Sequence, residues 1–260
     1  MVNVIVSIDF SETSLNAAHY AAKMFANKAK VNIILYHFYV SEQEITSSKN
    51  YLNSLKTELL SYCTNIEIIV ESGNNFIDRL SAYAHVKGAY IIVMGFAGKP
   101  VLQYRFSDLN TLKIAEKNVC PVLIIPSEAT YEGTNNVLIA SEMKYLNETP
   151  VILSIKSFLK DFDSTLHILN VNDVHYLDLT PAYKEARDRM EELLKEFKPE
   201  FHFMRLFDFH ESMDMFTKDK SIDIIIMGVK HHSLFDKFFK TQHTKKMLFQ
   251  SKVPLLVVQE

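Results

Sequence analysis

The apolar residues of this chain fall in short runs rich in β-branched side chains, with no polar residue alternating between them. Such runs suit strands covered on both faces, and so a parallel sheet. They predict strands near residues 2–8, 31–38, 66–70, 90–94 and 121–125, then near 136–141, 164–171, 200–206, 222–227 and 253–258. The stretches between them are long enough for crossover helices. Ser11 is placed to cap a first helix with Glu12 in its first turn, and Thr149 followed by Pro150 has the same form. From Tyr183 to Phe197, residues Ala186, Met190, Leu193, Leu194 and Phe197 recur at helical spacing, with Arg187, Glu191 and Glu192 on the other face. Alternating strands and helices imply a doubly wound α/β architecture.

The pattern occurs twice. At an offset of 133 residues, Asn3-Val4-Ile5-Val6 falls on Asn136-Val137-Leu138-Ile139, and Leu35-Tyr36-His37-Phe38 on Ile168-Leu169-Asn170-Val171. Ile91-Ile92-Val93-Met94-Gly95 falls on Ile224-Ile225-Ile226-Met227-Gly228, and Pro121-Val122-Leu123 on Pro254-Leu255-Leu256. Four segments in one register indicate an internal duplication. The polar stretch 127–134 is the seam, which predicts domains over 1–128 and 134–260, each with a five-stranded parallel sheet. A pseudo-twofold pairing of the two is expected, with the strands at 121–125 and 253–258 as the shared edge, since an unpaired apolar strand invites aggregation.

In doubly wound sheets, ligands bind at the carboxyl ends of the strands. Asp9-Phe10-Ser11 follows the first strand, and Gly95-Phe96-Ala97-Gly98 follows the fourth. Asp9 is a candidate acceptor for a base or ribose, and Gly95 and Gly98 would let backbone N–H groups approach phosphate. The alternative is that Asp9 belongs to a helix cap and Gly95 only permits a tight turn. Ser11, and Phe38 at the end of the second strand, join the candidates. Glu142 and Gly228 are their counterparts in the second half.

The segments Val6-Ser7-Ile8-Asp9-Phe10-Ser11, 91–98 and Cys120-Pro121-Val122-Leu123-Ile124-Ile125-Pro126, with 224–228 and 251–258 in the second half, resemble the universal stress protein family in its tandem form. The resemblance spans nearly the whole chain. It implies a cytoplasmic protein that pairs with itself, often through the last strand of each domain, in a family with ATP-binding and non-binding members. The ATP pattern of that family is Gly-x2-Gly-x9-Gly-Ser/Thr. The first half supplies Gly95 and Gly98, then Asp108-Leu109 where the late pair belongs. The second half has Gly228, but His231 replaces the second glycine and Lys240, Thr241 and Gln242 stand near the late pair. Neither half completes the pattern, and a carboxylate about 4 Å from phosphate costs about 1 kcal/mol even in water. The expectation is therefore a non-enzymatic stress-response module that binds a partner or small ligand. The alternative is an ATP-binding switch with nucleotide mainly in the first half.

Composition narrows the classes further. A net charge of −3 gives no pull toward nucleic acid or an anionic membrane, and no apolar run reaches the roughly 18 residues of a membrane span. The opening residues meet an acid at Asp9 and read as a strand, not a signal peptide. Cys63 and Cys120 read as small buried residues of a reducing compartment. The 12 tyrosines and 18 phenylalanines form no RNA-binding signature. No hydrolase or Walker motif is complete, so no catalytic residue is assigned. Lys230, Lys240 and Lys245 lie in a segment with six lysines and one acid, Asp236, and are candidates for a small anion. The alternative there is a solvated helix face. His231, His232 and His243 have no carboxylate at a ligand spacing, so no metal is expected from them.

Overall fold

The computed structural model describes residues 1–26, 28–40, 43, 45–97, 106–117, 119–141, 150–172, 181–205, 209–229 and 252–259. The chain forms two compact units, Met1–Glu132 and Gly133–Glu260.

In the first unit the elements are β1 (Val2–Ile8), α1 (Glu12–Met24), β2 (Val31–Tyr39), α2 (Ile45–Leu59) and β3 (Ile66–Ser72). They are followed by α3 (Phe76–Lys87), β4 (Ala89–Phe96), α4 (Phe106–Glu116) and β5 (Val122–Pro126). The sheet order is β3-β2-β1-β4-β5, all parallel. Central strand residues Val4, Ile5, Val6, Ile33, Ile34, Ile91, Ile92 and Val93 are buried, as runs covered on both faces should be. Helix α1 lies against β4 and β1 through four fully buried alanines, Ala17, Ala18, Ala21 and Ala22. Alanine is both the best helix former and small enough to bring the helix axis close to the sheet. At the end of α3, Gly88 adopts φ 56°, the left-handed cap conformation that glycine takes without steric cost.

The second unit runs β6 (Asn136–Ser141), α5 (Pro150–Lys160), β7 (Thr165–Asn172), α6 (Pro181–Leu194), a 3₁₀ turn (Lys195–Phe197) and β8 (Glu200–Arg205). It continues with α7 (Phe209–Asp219), β9 (Ile224–Val229) and β10 (Leu255–Gln259). Its order, β8-β7-β6-β9-β10, is parallel and repeats that of the first unit. Helix α5 buries Val151, Ile152, Ile155, Phe158 and Leu159, the i, i+1, i+4, i+7, i+8 stripe of a core-facing helix. Pro150 opens α5, as its missing N–H allows. The helix expected over 183–197 ends at Leu194 and closes as a 3₁₀ turn, with Lys198 left-handed at φ 49°. The observed strands otherwise match the expected ones to within about two residues at either end. Among the described residues, no helix is long and apolar enough to cross a membrane.

Candidate functional site

The carboxyl ends of β1 and β4 and the start of α1 meet where the sequence places ligand chemistry. Ser11 caps α1: its Oγ accepts from the Ser14 backbone N–H at 3.2 Å. It also donates to Asp9 Oδ1 and lies 2.9 Å from Thr13 Oγ1. Asp9 Oδ1 accepts the Ser11 backbone N–H at 3.0 Å as well. Asp9 thus closes an Asx turn that supports the cap, and its exposed carboxylate sits beside Glu12 at the positive end of the helix. Both acids favour the helix and oppose an anion at the same place.

Gly95 is the residue whose role differs most from expectation. It lies inside β4, and a Cβ there would stand 2.3 Å from the Thr13 carbonyl oxygen and 2.8 Å from the Ser14 nitrogen. Its missing side chain makes room for the first turn of α1. That close approach accounts for a glycine at this position without a tight turn. The Thr111 hydroxyl of α4 donates to the Gly95 carbonyl at 3.2 Å in a fully buried contact, which ties α4 to the same point.

Phe38 also departs from the expected grouping. Its ring meets Phe76 of α3 at 5.8 Å, while the adjacent His37 points to the other face of β2. The ring beside Asp9 is Phe10, whose role no residue pattern in the sequence marks. Phe10 has φ 62°, a conformation that costs a bulky residue about 1–3 kcal/mol. Its ring meets His37 at 4.6 Å, tilted by 47°, and the exposed Tyr51 of α2 at 5.6 Å. His37 is fixed from behind by the Ile8 carbonyl, 2.8 Å from Nδ1, so that nitrogen carries the proton.

Among the described residues, then, the site brings together Asp9, Ser11 and Gly95 and adds Phe10, His37 and Tyr51. The first-turn N–H is held by Ser11, the nearest charges are negative, and the glycine is filled by backbone. Gly228 lies in β9, paired with Val258. Gly98, Glu142, Lys230, Lys240 and Lys245 lie outside the described residues, as do His231, His232 and His243. Cys63 and Cys120 are free thiols, half-buried and not fully enclosed. Burial still pushes the Cys120 thiol up to about 12.

Solved structures share this fold. A universal stress protein from Archaeoglobus fulgidus superposes with a TM-score of 0.72, covering 99% of this chain and 96% of that one at 14% identity. The fold is that of the universal stress proteins. A functionally unknown protein from Pseudomonas aeruginosa gives a TM-score of 0.65 at 13% identity, with 99% of this chain and 92% of that chain covered. The cytoplasmic domain of a prokaryotic cation chloride cotransporter gives 0.58 at 10% identity, with 98% and 94% covered. No family model and no curated protein matches the sequence. The universal stress protein fold therefore also serves as a domain of a transporter, and function must be argued from the side chains it carries.

Proposed function

We propose that this chain is a tandem universal stress protein of the non-enzymatic kind, acting by binding a partner or a small ligand. The observation that carries this reading is the Asp9 carboxylate, folded onto the Ser11 N–H and hydroxyl at the end of β1. Oδ1 so engaged braces a helix cap, which is a sufficient reason for an acid at this position without a base or ribose to bind. Gly95, filled by the α1 backbone, supports the same reading. Isothermal titration with ATP and Mg²⁺ tests it. No saturable binding is expected, and freshly purified protein should carry no excess absorbance at 260 nm.

The second reading, an ATP-binding switch, is favoured by the rings of Phe10, His37 and Tyr51 beside the strand ends, where a base would find a stacking surface. Saturable micromolar binding, roughly −8 kcal/mol, would establish it in place of the first. Asp9→Ala should then weaken ATP more than Glu142→Ala does. The leading reading also places the protein in the cytoplasm as a homodimer, which fractionation and sedimentation measure. It keeps Lys230, Lys240 and Lys245 as a small-anion site, whose phosphate affinity should fall with salt over a Debye length of about 8 Å.

A further inference from the structure

The second unit carries a group of side chains at the other end of its sheet. Glu200 and His202 are two apart in β8 and so share a face. His167 of β7 is in register with Glu200 on that face. His167 Nδ1 lies 3.1 Å from His202 Nε2 and 3.3 Å from Glu200 Oε2, and His202 Nε2 lies 3.6 Å from the same oxygen. Four-coordinate zinc holds nitrogen and oxygen ligands at about 2.0–2.2 Å, which sets tetrahedral neighbours about 3.3–3.6 Å apart. The three atoms already form one face of such a tetrahedron.

The protons argue in the same direction. His167 Nε2 lies 3.4 Å from Asn136 Oδ1. The Asn136 amide is oriented by its Nδ2, which donates to the Ser221 carbonyl at 3.4 Å. Oδ1 is thus the acceptor, Nε2 carries the hydrogen, and Nδ1 offers a lone pair. A carboxylate oxygen facing that lone pair at 3.3 Å is repulsive unless a positive centre lies between them. His202 Nε2, 3.1 Å from that lone pair and 3.6 Å from the same carboxylate oxygen, completes the group around the point where such a centre would sit. The Asn136 oxygen stands where the outer acceptor of a metal-ligating histidine stands, a place usually taken by a carboxylate, a backbone carbonyl or water. The ring of Phe216 stands edge-on, 5.0 Å from His202 and 6.3 Å from His167, and closes one side.

The first unit supplies the comparison. At the 133-residue offset, Asn136, Glu200 and Lys220 correspond to Asn3, Glu67 and Lys87, whereas His167 and His202 correspond to Ile34 and Ile69. In that unit Lys87 Nζ reaches Glu67 at 3.4 Å and Ile34 is fully buried. The fold is therefore satisfied by two isoleucines at these positions, and the histidines call for another reason.

We propose that His167, Glu200 and His202 form a zinc-class divalent metal site with a fourth position open to water or a ligand. It goes beyond the reading of the strand ends and does not depend on it. The Glu200 carboxylate is the charge that favours a cation there, and Lys220, which raises the cost of positive charge at both imidazoles, is the one that opposes it.

The test uses the full-length, tag-free chain, stripped with chelator and titrated with Zn²⁺ by calorimetry. Co²⁺ serves as a spectroscopic probe of coordination. One ion per chain is expected, with the intense visible bands of four-coordinate cobalt and a higher melting temperature. Glu200→Gln and His202→Ile should each weaken binding at least tenfold. Isoleucine is the residue that the first unit carries at the second position, and melting without metal checks that the variant folds. Lys220→Ala should tighten binding, and the triple variant His231→Ala/His232→Ala/His243→Ala should keep it. The proposal is overturned by absence of saturable Zn²⁺ binding, by undiminished binding in Glu200→Gln and His202→Ile, or by loss of binding in the triple variant.

Discussion

Gly95 shows how a residue can lie at a ligand-binding position and still serve the fold. A methyl group there would overlap the α1 backbone, which cannot swing away as a side chain could. Gly95→Ala should therefore destabilise by about 3 kcal/mol, the upper part of the range for overpacking, read as a lower urea midpoint. An unchanged midpoint would mean that α1 does not approach β4 as closely as described. Ser11→Ala should cost about 1 kcal/mol through the lost cap. Asp9→Ala should cost less, because Asp9 supports the cap through Ser11. The sequence made Ser11 legible, since a cap is written in residue type and position. It left Gly95 ambiguous, because glycine marks a close approach without saying what approaches. The displaced Phe38 follows from the same limit: strand periodicity separates the faces of β2 but does not say which face the end of β1 will join. Cys120 offers a check at alkaline pH. Its thiol is raised by burial, so its contribution to stability is intact below the unfolded value near 9 and is lost as pH rises toward 12. Alkylation of the native protein at pH 8 should leave Cys120 unmodified over the time in which urea-unfolded protein reacts fully. Rapid native labelling at Cys120 would show that partial burial does not hold its thiol protonated.

Helix α1 is set by volume more than by hydrophobic strength. Its four buried alanines have no depth to spare, so Ala18→Leu should lower stability by about 2 kcal/mol, although leucine is an excellent helix former. Thermal melting decides the sign, and a stabilised variant would point to a loosely packed helix. The strands were readable because β-branched runs have few other uses, whereas the strand order within each sheet came only from the structure, since the handedness of crossovers is compatible with several orders. The end of α6 was less readable. Apolar spacing runs on to Phe197, but the chain leaves the helix at Leu194 because Lys198 must take a left-handed turn into β8. The histidine pair was also within reach of the sequence. Glu200-Phe201-His202 is an i, i+2 pair of ligand types on a predicted strand, but its third member lies on a neighbouring strand, and only the register of β7 with β8 brings it near.

Each of the two units has its own buried core and its own five strands. Residues 1–132 expressed alone should accordingly unfold cooperatively in urea, followed by circular dichroism, while a broad and featureless transition would show that the first unit depends on the second. The duplication was the most legible property of the chain, because a constant offset survives when individual motifs have drifted. It has a further consequence. Two copies of one plan free each other from doing the same work, so a loss in one copy need not be a loss to the molecule. Where both copies hold the same residue, as with Asn3 and Asn136 or Gly95 and Gly228, the shared demand is that of the scaffold. Where they part, as with Ile34 and His167, the plan tolerates both residues, so the difference is open to a task that only one copy performs.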